Sequence, residues 1–468
     1  MLGNTRQRVV FAGLFEKPLS VEFTQPSQSS DGGVVLLRAM DEKMGLTRRI
    51  AEALGDGRQP GKVAHRLEEM LRERIYGIAC GYPECNEIAR LAHDPAMKLA
   101  CQGEAKGSHD APGRQDERPL ASQPTLSRLE NAPSRTALMR VAYAMTDAVI
   151  DREKFRHRKR SVRRLVIDMD PTDDPTFGGQ QLTFFNAYYD NWCYLPMLTT
   201  LRLDDEAEQF LIAPVLRPGN AKGSLGAVSI LKRLLPRLRA AFPQAQIYVR
   251  MDGAFATPEV FEWLEAQGLV YVINMAKNPV LKKLAERLMK RVRRLVKKTG
   301  HTEKEYAEAR YKAGRWKHKR RVVIKAEVTV SEDEPEKEPR DNPRFTITNL
   351  PLAPKNVYRF YRQRGDMENR IKELHHGLRF DLTSCPEFEA NQFRNLLTAA
   401  AYMLYQQIRQ DLGHTDCEQA QVWTLRERLI KIGVRIRETV RRIVIEAPQA
   451  YAWWTTWRRL AIALDASP

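Results

Sequence analysis

Cysteine is scarce in this 468-residue chain, with six thiols at positions 80, 85, 101, 193, 385 and 417. So few and so scattered, they do not make a disulfide scaffold. No second Cys/His pair follows Cys80 and Cys85 at a zinc-site spacing, so reduced thiols are expected and a structural zinc is not. Long apolar runs are missing too. No stretch reaches the roughly 18 apolar residues of a spanning helix. The N-terminal MLGNTRQRVVFAGLFEKPLS lacks the apolar core of a signal peptide. These absences predict a cytoplasmic protein. A Gly-rich phosphate loop ending in Lys-Ser/Thr, a Gly-x-Ser-x-Gly elbow and an internal repeat are all absent, which argues against P-loop, hydrolase and repeat chemistry. Acid is in deficit: 58 Asp and Glu stand against 76 Lys and Arg, a net charge of +18. Such an imbalance favours a polyanionic partner, nucleic acid first among them.

What is present is an ordinary globular composition, 43% apolar and 29% charged, long enough for about three structural units. Residues 1–150 open with strand-like runs at Arg8–Phe15 and Leu19–Phe23 and continue with helical periodicity, broken by a polar loop at Gly103–Pro119. A bridge of eight Lys/Arg against two acids covers residues 151–165. Residues 160–275 then read as three strands (LVIDMD, LTFFNAYYD, YLPMLTTLRL), a helix, the strand QIYVRMD, a helix from Thr257-Pro258 to Gly268, and the strand LVYVINM. This alternation predicts a mixed α/β sheet. Residues 276–350 differ in texture. Between Leu281 and Lys325, 18 Lys/Arg against 4 Glu carry +14 of the net charge. A basic helix there precedes alternating strands, which marks a β-rich insertion. Residues 351–410 and 411–468 read as helical again.

Four carboxylates on three elements stand out. Asp168 and Asp170 end an apolar strand and share one face by alternation. Asp252 ends a second apolar strand, with Gly253 allowing a sharp turn. Glu368 lies in KNVYRFYRQRGDMENRIKELHHGL, expected as one helix, where Tyr361, Arg364, Glu368, Lys372 and His375 recur every three or four residues. Strand-end acids suit Mg²⁺, which prefers oxygen ligands, and two such ions can stabilise both oxygens of a phosphodiester exchange. Arg364, Lys372 and His375 suit phosphate contacts. Residues 122–131 read either as a short recognition helix capped by Ser122, with Gln123, Thr125 and Arg128 outward for base contacts, or as a simple surface helix. Trp316 and Tyr311, within the insertion, read as core packing or as a surface for an unpaired base.

The order of these acids resembles the DDE transposases of bacterial insertion sequences. The first acid matches Asp-x-Thr as Asp170-Pro171-Thr172. The second matches in Arg250-Met251-Asp252-Gly253-Ala254-Phe255. The third matches a Tyr-(2)-Arg-(3)-Glu-(6)-Lys signature as Tyr361, Arg364 and Glu368, with His375 in place of the signature Lys and Lys372 as its substitute. GGQQLTFFNAYYDNWCYLP, LRPGNAKGS and RGDMENRIKEL look like the insertion-sequence family numbered thirteen-eighty. The resemblance implies an RNase H-like mixed sheet flanked by helical N- and C-terminal regions. It implies a β-rich insertion between Asp252 and Glu368, and a DNA-binding and dimerisation role for residues 1–150. It also implies Mg²⁺, with Mn²⁺ as an alternative, held by Asp170, Asp252 and Glu368. Asp168 remains the other choice for the first acid. Tyr361, Arg364, Lys372, His375, Arg128 and Gln123 are the expected DNA contacts. The implied partners are the element's terminal repeats and target DNA, bound by a homodimer at the bacterial nucleoid. The implied chemistry is cleavage followed by joining of 3′-hydroxyl ends. A nuclease that only hydrolyses and a non-catalytic DNA-binding descendant are the alternatives.

Overall fold

The computed structural model describes residues 8–13, 15–102, 118–331, 337–439 and 441–467. Most of the polar stretch expected as a loop at Gly103–Pro119, and residues 332–336 of the acidic segment, lie outside them. The described residues group into two compact units, one within 1–43, 57–129 and 407–468, the other within 44–56 and 130–406.

In the first unit the runs expected as strands pair antiparallel as Arg8–Phe11 and Leu19–Glu22. Its helix Leu67–Cys80 is buried around most of its circumference, so its polar residues need internal partners. Tyr76 supplies one by donating to Asp41 Oδ2 at 2.6 Å, and Lys431 pairs with Asp31 at 2.7 Å.

The second unit is built on one mixed sheet. Its elements in chain order are β1 (Arg164–Pro171), β2 (Met197–Leu203), β3 (Phe210–Val215), α1 (Ala227–Ala241), β4 (Gln246–Met251), α2 (Pro258–Ala266) and β5 (Val270–Met275). The insertion adds α3 (Pro279–Thr299), β6 (Glu303–Tyr311), β7 (Arg320–Thr329), β8 (Arg340–Asp341) and β9 (Arg344–Thr348), and α4 (Pro354–Arg362) and α5 (Gly365–Lys372) follow. The strand order is β6-β7-β9-β5-β4-β1-β2-β3, with β8 beside β7. β1, β2 and β3 form an antiparallel meander, whereas β4 runs parallel to β1 and β5 parallel to β4. Parallel neighbours need crossovers, and α1 and α2 supply them. The mixed α/β fold expected from the sequence is therefore present, and the insertion strands lengthen the same sheet, entering it through β9 against β5.

Local sequence explains the elements. Leu165, Val166, Ile167 and Met169 are all buried, as a central strand covered on both faces requires. α2 starts where Thr257 Oγ1 accepts the Val260 amide at 3.4 Å, with Pro258 at the first helical position. α3 starts on Asn278, whose Oδ1 accepts the Leu281 amide at 3.0 Å, and stops at Gly300 with φ of 72°. Two expectations need correction. LTFFNAYYD does not join the main sheet; Phe184–Asn186 pairs with Asn191–Tyr194 in a separate small sheet beyond the end of β1. The third strand of the meander is instead β3, which the sequence reading passed over. No helix among the described residues is long and apolar enough to cross a membrane.

Candidate active site

The register of β1 against β4 pairs Asp168 with Arg250 and Met169 with Met251. One pleat beyond the Asp168–Arg250 pair, Asp170, still paired with Leu198 of β2, and Asp252, the first residue past β4, stand at the carboxyl ends of neighbouring strands. Such strand ends are where open α/β sheets present functional groups.

The two acids of β1 have different surroundings. Asp168 is fully buried. Its Oδ1 accepts Arg250 Nε at 2.7 Å, and its Oδ2 accepts Arg250 Nη2 at 2.6 Å and Gln209 Nε2 at 2.7 Å. Asp170 stays 19% exposed, with Arg364 Nη2 lying 2.6 Å from its Oδ1. Burial raises the Asp170 carboxyl to about 6 against the pull of Arg364, and the charge of Asp252 adds to the rise. Asp252 caps the turn Gly253–Phe255, its Oδ1 accepting the Ala254 amide at 2.9 Å. Among the described residues its other oxygen has no such backbone donor. The pair is an oxygen-only donor set with crowded negative charge, which fits a hard divalent cation.

The segment expected as one helix is two helices and a turn. At the junction of α4 and α5 the amides of Arg364 and Met367 donate to carbonyls three residues back, Tyr361 and Arg364, both at 2.9 Å. Gly365 stands at this junction, where a residue of low helix propensity gives the local tightening little to oppose it. Past α5, residues Glu373–Gly377 form a π-helical turn. The five signature residues consequently do not line one face. Tyr361 and Arg364 point inward toward Asp170 and Asp252, and burial with these acids lifts the Tyr361 hydroxyl to about 12. Glu368 is 69% exposed and pairs with Lys372 at 3.0 Å. His375 Nε2 lies 3.3 Å from Thr172 Oγ1, so the signature meets the threonine of Asp-x-Thr. Burial pushes its imidazole below the ordinary value.

Among the described residues, the ligand atoms of Asp170, Asp252 and Glu368 do not all come within 4.8 Å of one another; Glu153, His157 and Glu206 do. That second group is an ion-pair network: Arg156 holds both glutamates and Arg160 holds Glu206. It stands apart from the signature in sequence and is already charge-compensated.

Residues the sequence reading missed hold the site in place. Arg250 Nη1 donates to the Phe360 carbonyl at 2.8 Å and to Gln363 Oε1 at 3.3 Å. Arg370 joins Glu208 and Glu373 at 3.2 and 2.9 Å, and Arg202 holds Asp366 at 2.6 Å. A lone arginine inside the apolar strand IYVRM was the available signal, because a buried guanidinium needs a partner.

Beside the site lies a cavity of about 320 Å³ between the insertion strands and α4–α5. Lys304, Lys325, Arg344, Arg362 and Arg364 line it, and no acid does. Tyr306, Tyr358 and Tyr361, with Asn274 and Gly365, complete the wall. Trp316 and Tyr311, by contrast, are buried with their rings 5.4 Å apart, Trp316 also against Phe261, so neither ring is open to a base. In the first unit, the helix Gln123–Asn131 begins as expected after Ser122, whose carbonyl accepts the Leu126 amide at 3.0 Å. Arg128 is exposed on it, with Nη2 donating to Thr125 Oγ1 at 3.2 Å, and Gln123 is half-buried.

No curated protein matches the chain. Among solved structures, a piggyBac transposase in a synaptic complex with hairpin DNA is similar, with a TM-score of 0.42 and 9% identity over 90% of this chain and 81% of that one. The family model described as transposase DDE domain group 1 matches residues 11–468. Its span takes in Asp170, Asp252 and Glu368 together with the insertion, and on that match the chain belongs to the DDE transposase family.

Proposed function

We propose that this transposase cuts the ends of an insertion element and joins the freed 3′-hydroxyls to target DNA, using Mg²⁺ or Mn²⁺. The observation that carries the reading is the parallel register of β1 and β4, which brings Asp170 and Asp252 out of one sheet edge beside Arg364.

Asp170, Asp252 and Glu368 would hold the cations. Bound there, divalent ions supply charge stabilisation for attacking and leaving oxygens. The other residues bind and orient. Arg364 and Tyr361 face the acids from α4–α5, where a scissile phosphate would sit, and the cations of the neighbouring cavity extend that positive surface along the strand. Asp168 does not touch the reacting atoms in this reading; its oxygens serve Arg250 and Gln209. Lys372 and His375 flank Glu368 and Thr172 as further phosphate contacts. Residues on the helix Gln123–Asn131, with Arg128 and Gln123 foremost, contact the terminal repeat, and a homodimer handles the two ends.

The test is excision. The gene with its native flanking DNA is placed on a plasmid, and purified protein is added with Mg²⁺, alongside Asp252→Asn. Excision by the wild type that disappears in the variant, with DNA binding retained, supports the reading. Cutting by Asp252→Asn at the wild-type rate refutes the site. Cleavage without any joined product, when target DNA is supplied, would make the protein a nuclease only.

A further inference from the structure

A buried arginine on β4 touches three structural elements that the proposed chemistry needs in register. Arg250 and its cross-strand neighbour Asp168 are both fully buried and joined by two hydrogen bonds of 2.7 and 2.6 Å. The remaining arm of the guanidinium leaves the sheet. Its Nη1 reaches the carbonyl of Phe360 at 2.8 Å and Gln363 Oε1 at 3.3 Å, and the guanidinium carbon lies 5.0 Å from the centroid of the Phe360 ring.

The positions in sequence give these contacts their meaning. Two residues beyond Asp168 is Asp170, and two residues beyond Arg250 is Asp252, so the ion pair sits one pleat below both acids on the same face. Phe360 precedes Tyr361, and Gln363 precedes Arg364. One planar group therefore fixes the spacing of the two acid-bearing strands and ties both to the helical turn that leads to Arg364 and Glu368. A guanidinium can do this because its donors form a rigid fork with hydrogens on both sides, whereas an ammonium is a single point on a flexible stem.

Burying such a pair is not an efficient way to gain stability, since apolar replacements of similar volume are often neutral or better. Geometry is what the pair adds beyond packing. We propose that Arg250 is a positioning residue: held by Asp168, which Gln209 holds in turn, it sets the Asp170–Asp252 pair in register with the Tyr361–Glu368 segment. This rests on the reading of those three acids as the cation site.

The test uses the full chain in three forms: wild type, Arg250→Lys, and the double variant Asp168→Leu/Arg250→Met. The last removes both charges together and leaves none stranded. Gln209→Met is a milder variant that takes one hydrogen bond from Asp168 and keeps the ion pair. Four quantities are measured: the thermal midpoint, DNA affinity without metal, Mn²⁺ binding by electron paramagnetic resonance, and cutting against Mg²⁺ concentration. A positioning role predicts a folded double variant that binds DNA as the wild type does. Its Mn²⁺ affinity should fall by about 10- to 100-fold and its cutting at saturating Mg²⁺ by about a hundredfold. Arg250→Lys should fall between the two, and Gln209→Met should lose about tenfold in Mn²⁺ affinity.

Wild-type Mn²⁺ binding and cutting in the double variant would overturn the proposal. So would losses that follow only the folded fraction; if the stronger variants do not fold, unchanged Mn²⁺ binding in Gln209→Met overturns it. A wild type that binds Mn²⁺ yet never cuts would count against the transposition chemistry alone, and the Mn²⁺ series would still decide the role of Arg250.

Discussion

Helix α3 offers a quantitative test of DNA binding. At about 100° per residue, its buried residues Leu281, Ala285, Met289, Val292 and Val296 occupy one face. On the opposite side Lys283, Arg287, Lys290, Arg294, Lys297 and Lys298 fall in a stripe about 100° wide and about 22 Å long. All six are exposed, and none forms an ion pair among the described residues. The arginines at the stripe's borders are already engaged, Arg291 by Glu305 and Arg293 by Glu286 and Asp341. Each cation that neutralises a phosphate steepens the dependence of log affinity on log salt by about 0.9. Replacing Lys283, Lys290 and Lys297 with Gln should reduce the slope by about 2.7, so that between 50 and 200 mM salt the wild type loses roughly 40-fold more affinity than the variant. Exposed substitutions of this kind cost about 0.5 kcal/mol or less in stability, so folding should be unaffected. Fluorescence anisotropy on a labelled duplex at four salt concentrations reads the slope directly. A triple variant with normal circular dichroism and an unchanged slope would show that α3 does not lie on DNA.

Three further outcomes follow from particular contacts. Burial raises the Asp174 carboxyl to about 8, against the hydrogen bonds of Thr383 Oγ1 at 2.9 and 3.0 Å; burial raises Glu73 to about 8 as well. A folded-state value above the unfolded one means that this stability is complete below about pH 4 and is lost as pH rises through about 8. The thermal midpoint should thus fall between pH 5 and 9, and Asp174→Asn, which mimics the neutral form, should flatten the fall; an identical slope in the variant would contradict the assignment. Gly33→Ala should destabilise the first unit by about 3 kcal/mol, because a Cβ there would sit 1.8 Å from the Leu429 carbonyl oxygen; a thermal midpoint equal to the wild type's would refute this. Asp252→Asn should leave DNA affinity within about twofold, since a half-buried capping amide replaces a carboxylate without uncovering a buried charge.

The sequence made some parts of this protein readable and hid others, for identifiable reasons. β1 and β4 were legible because central strands are continuously apolar and stop at an acid. α2 and α3 were legible because Thr257-Pro258 and Asn278-Pro279 are capping sequences with a mechanism. β3 escaped notice because Gln209 and Pro214 flatten the apolar run FLIAPV and acidic residues precede it. The signature segment was read as one helix because spacing records only side-chain positions. The change from bonds four residues back to bonds three residues back, at Gly365, leaves no mark in periodicity. Arg250 stands within the motif of the second acid, but spacing along the strand does not reveal that its guanidinium is buried against Asp168 on the neighbouring strand. The family signature identified Tyr361, Arg364 and Glu368 but carried no information on Glu368 being the exposed member.

That difference in exposure bears on how the site works. Asp170 and Asp252 are set by the sheet, whereas Glu368 rides on the eight-residue α5 between two irregular junctions. Among the described residues its one ion pair is the surface pair with Lys372, an interaction worth about 0–1 kcal/mol in such settings. Re-aiming that carboxylate is therefore cheap, while moving either aspartate would disturb the sheet. Arg364 adds a second constraint. Its Nη2 contacts Asp170 at 2.6 Å, and its Nε has no hydrogen-bond partner among the described residues. On the proposed assignment, a cation held by Asp170 would compete with Arg364 for the carboxylate charge and would leave the guanidinium to a phosphate. A phosphate bound by Arg364 would in turn relieve that competition at Asp170. Cation and DNA would then favour each other's binding, by equal amounts as linkage requires, and the Arg364–Asp170 pair would compensate the crowded acids in the absence of both.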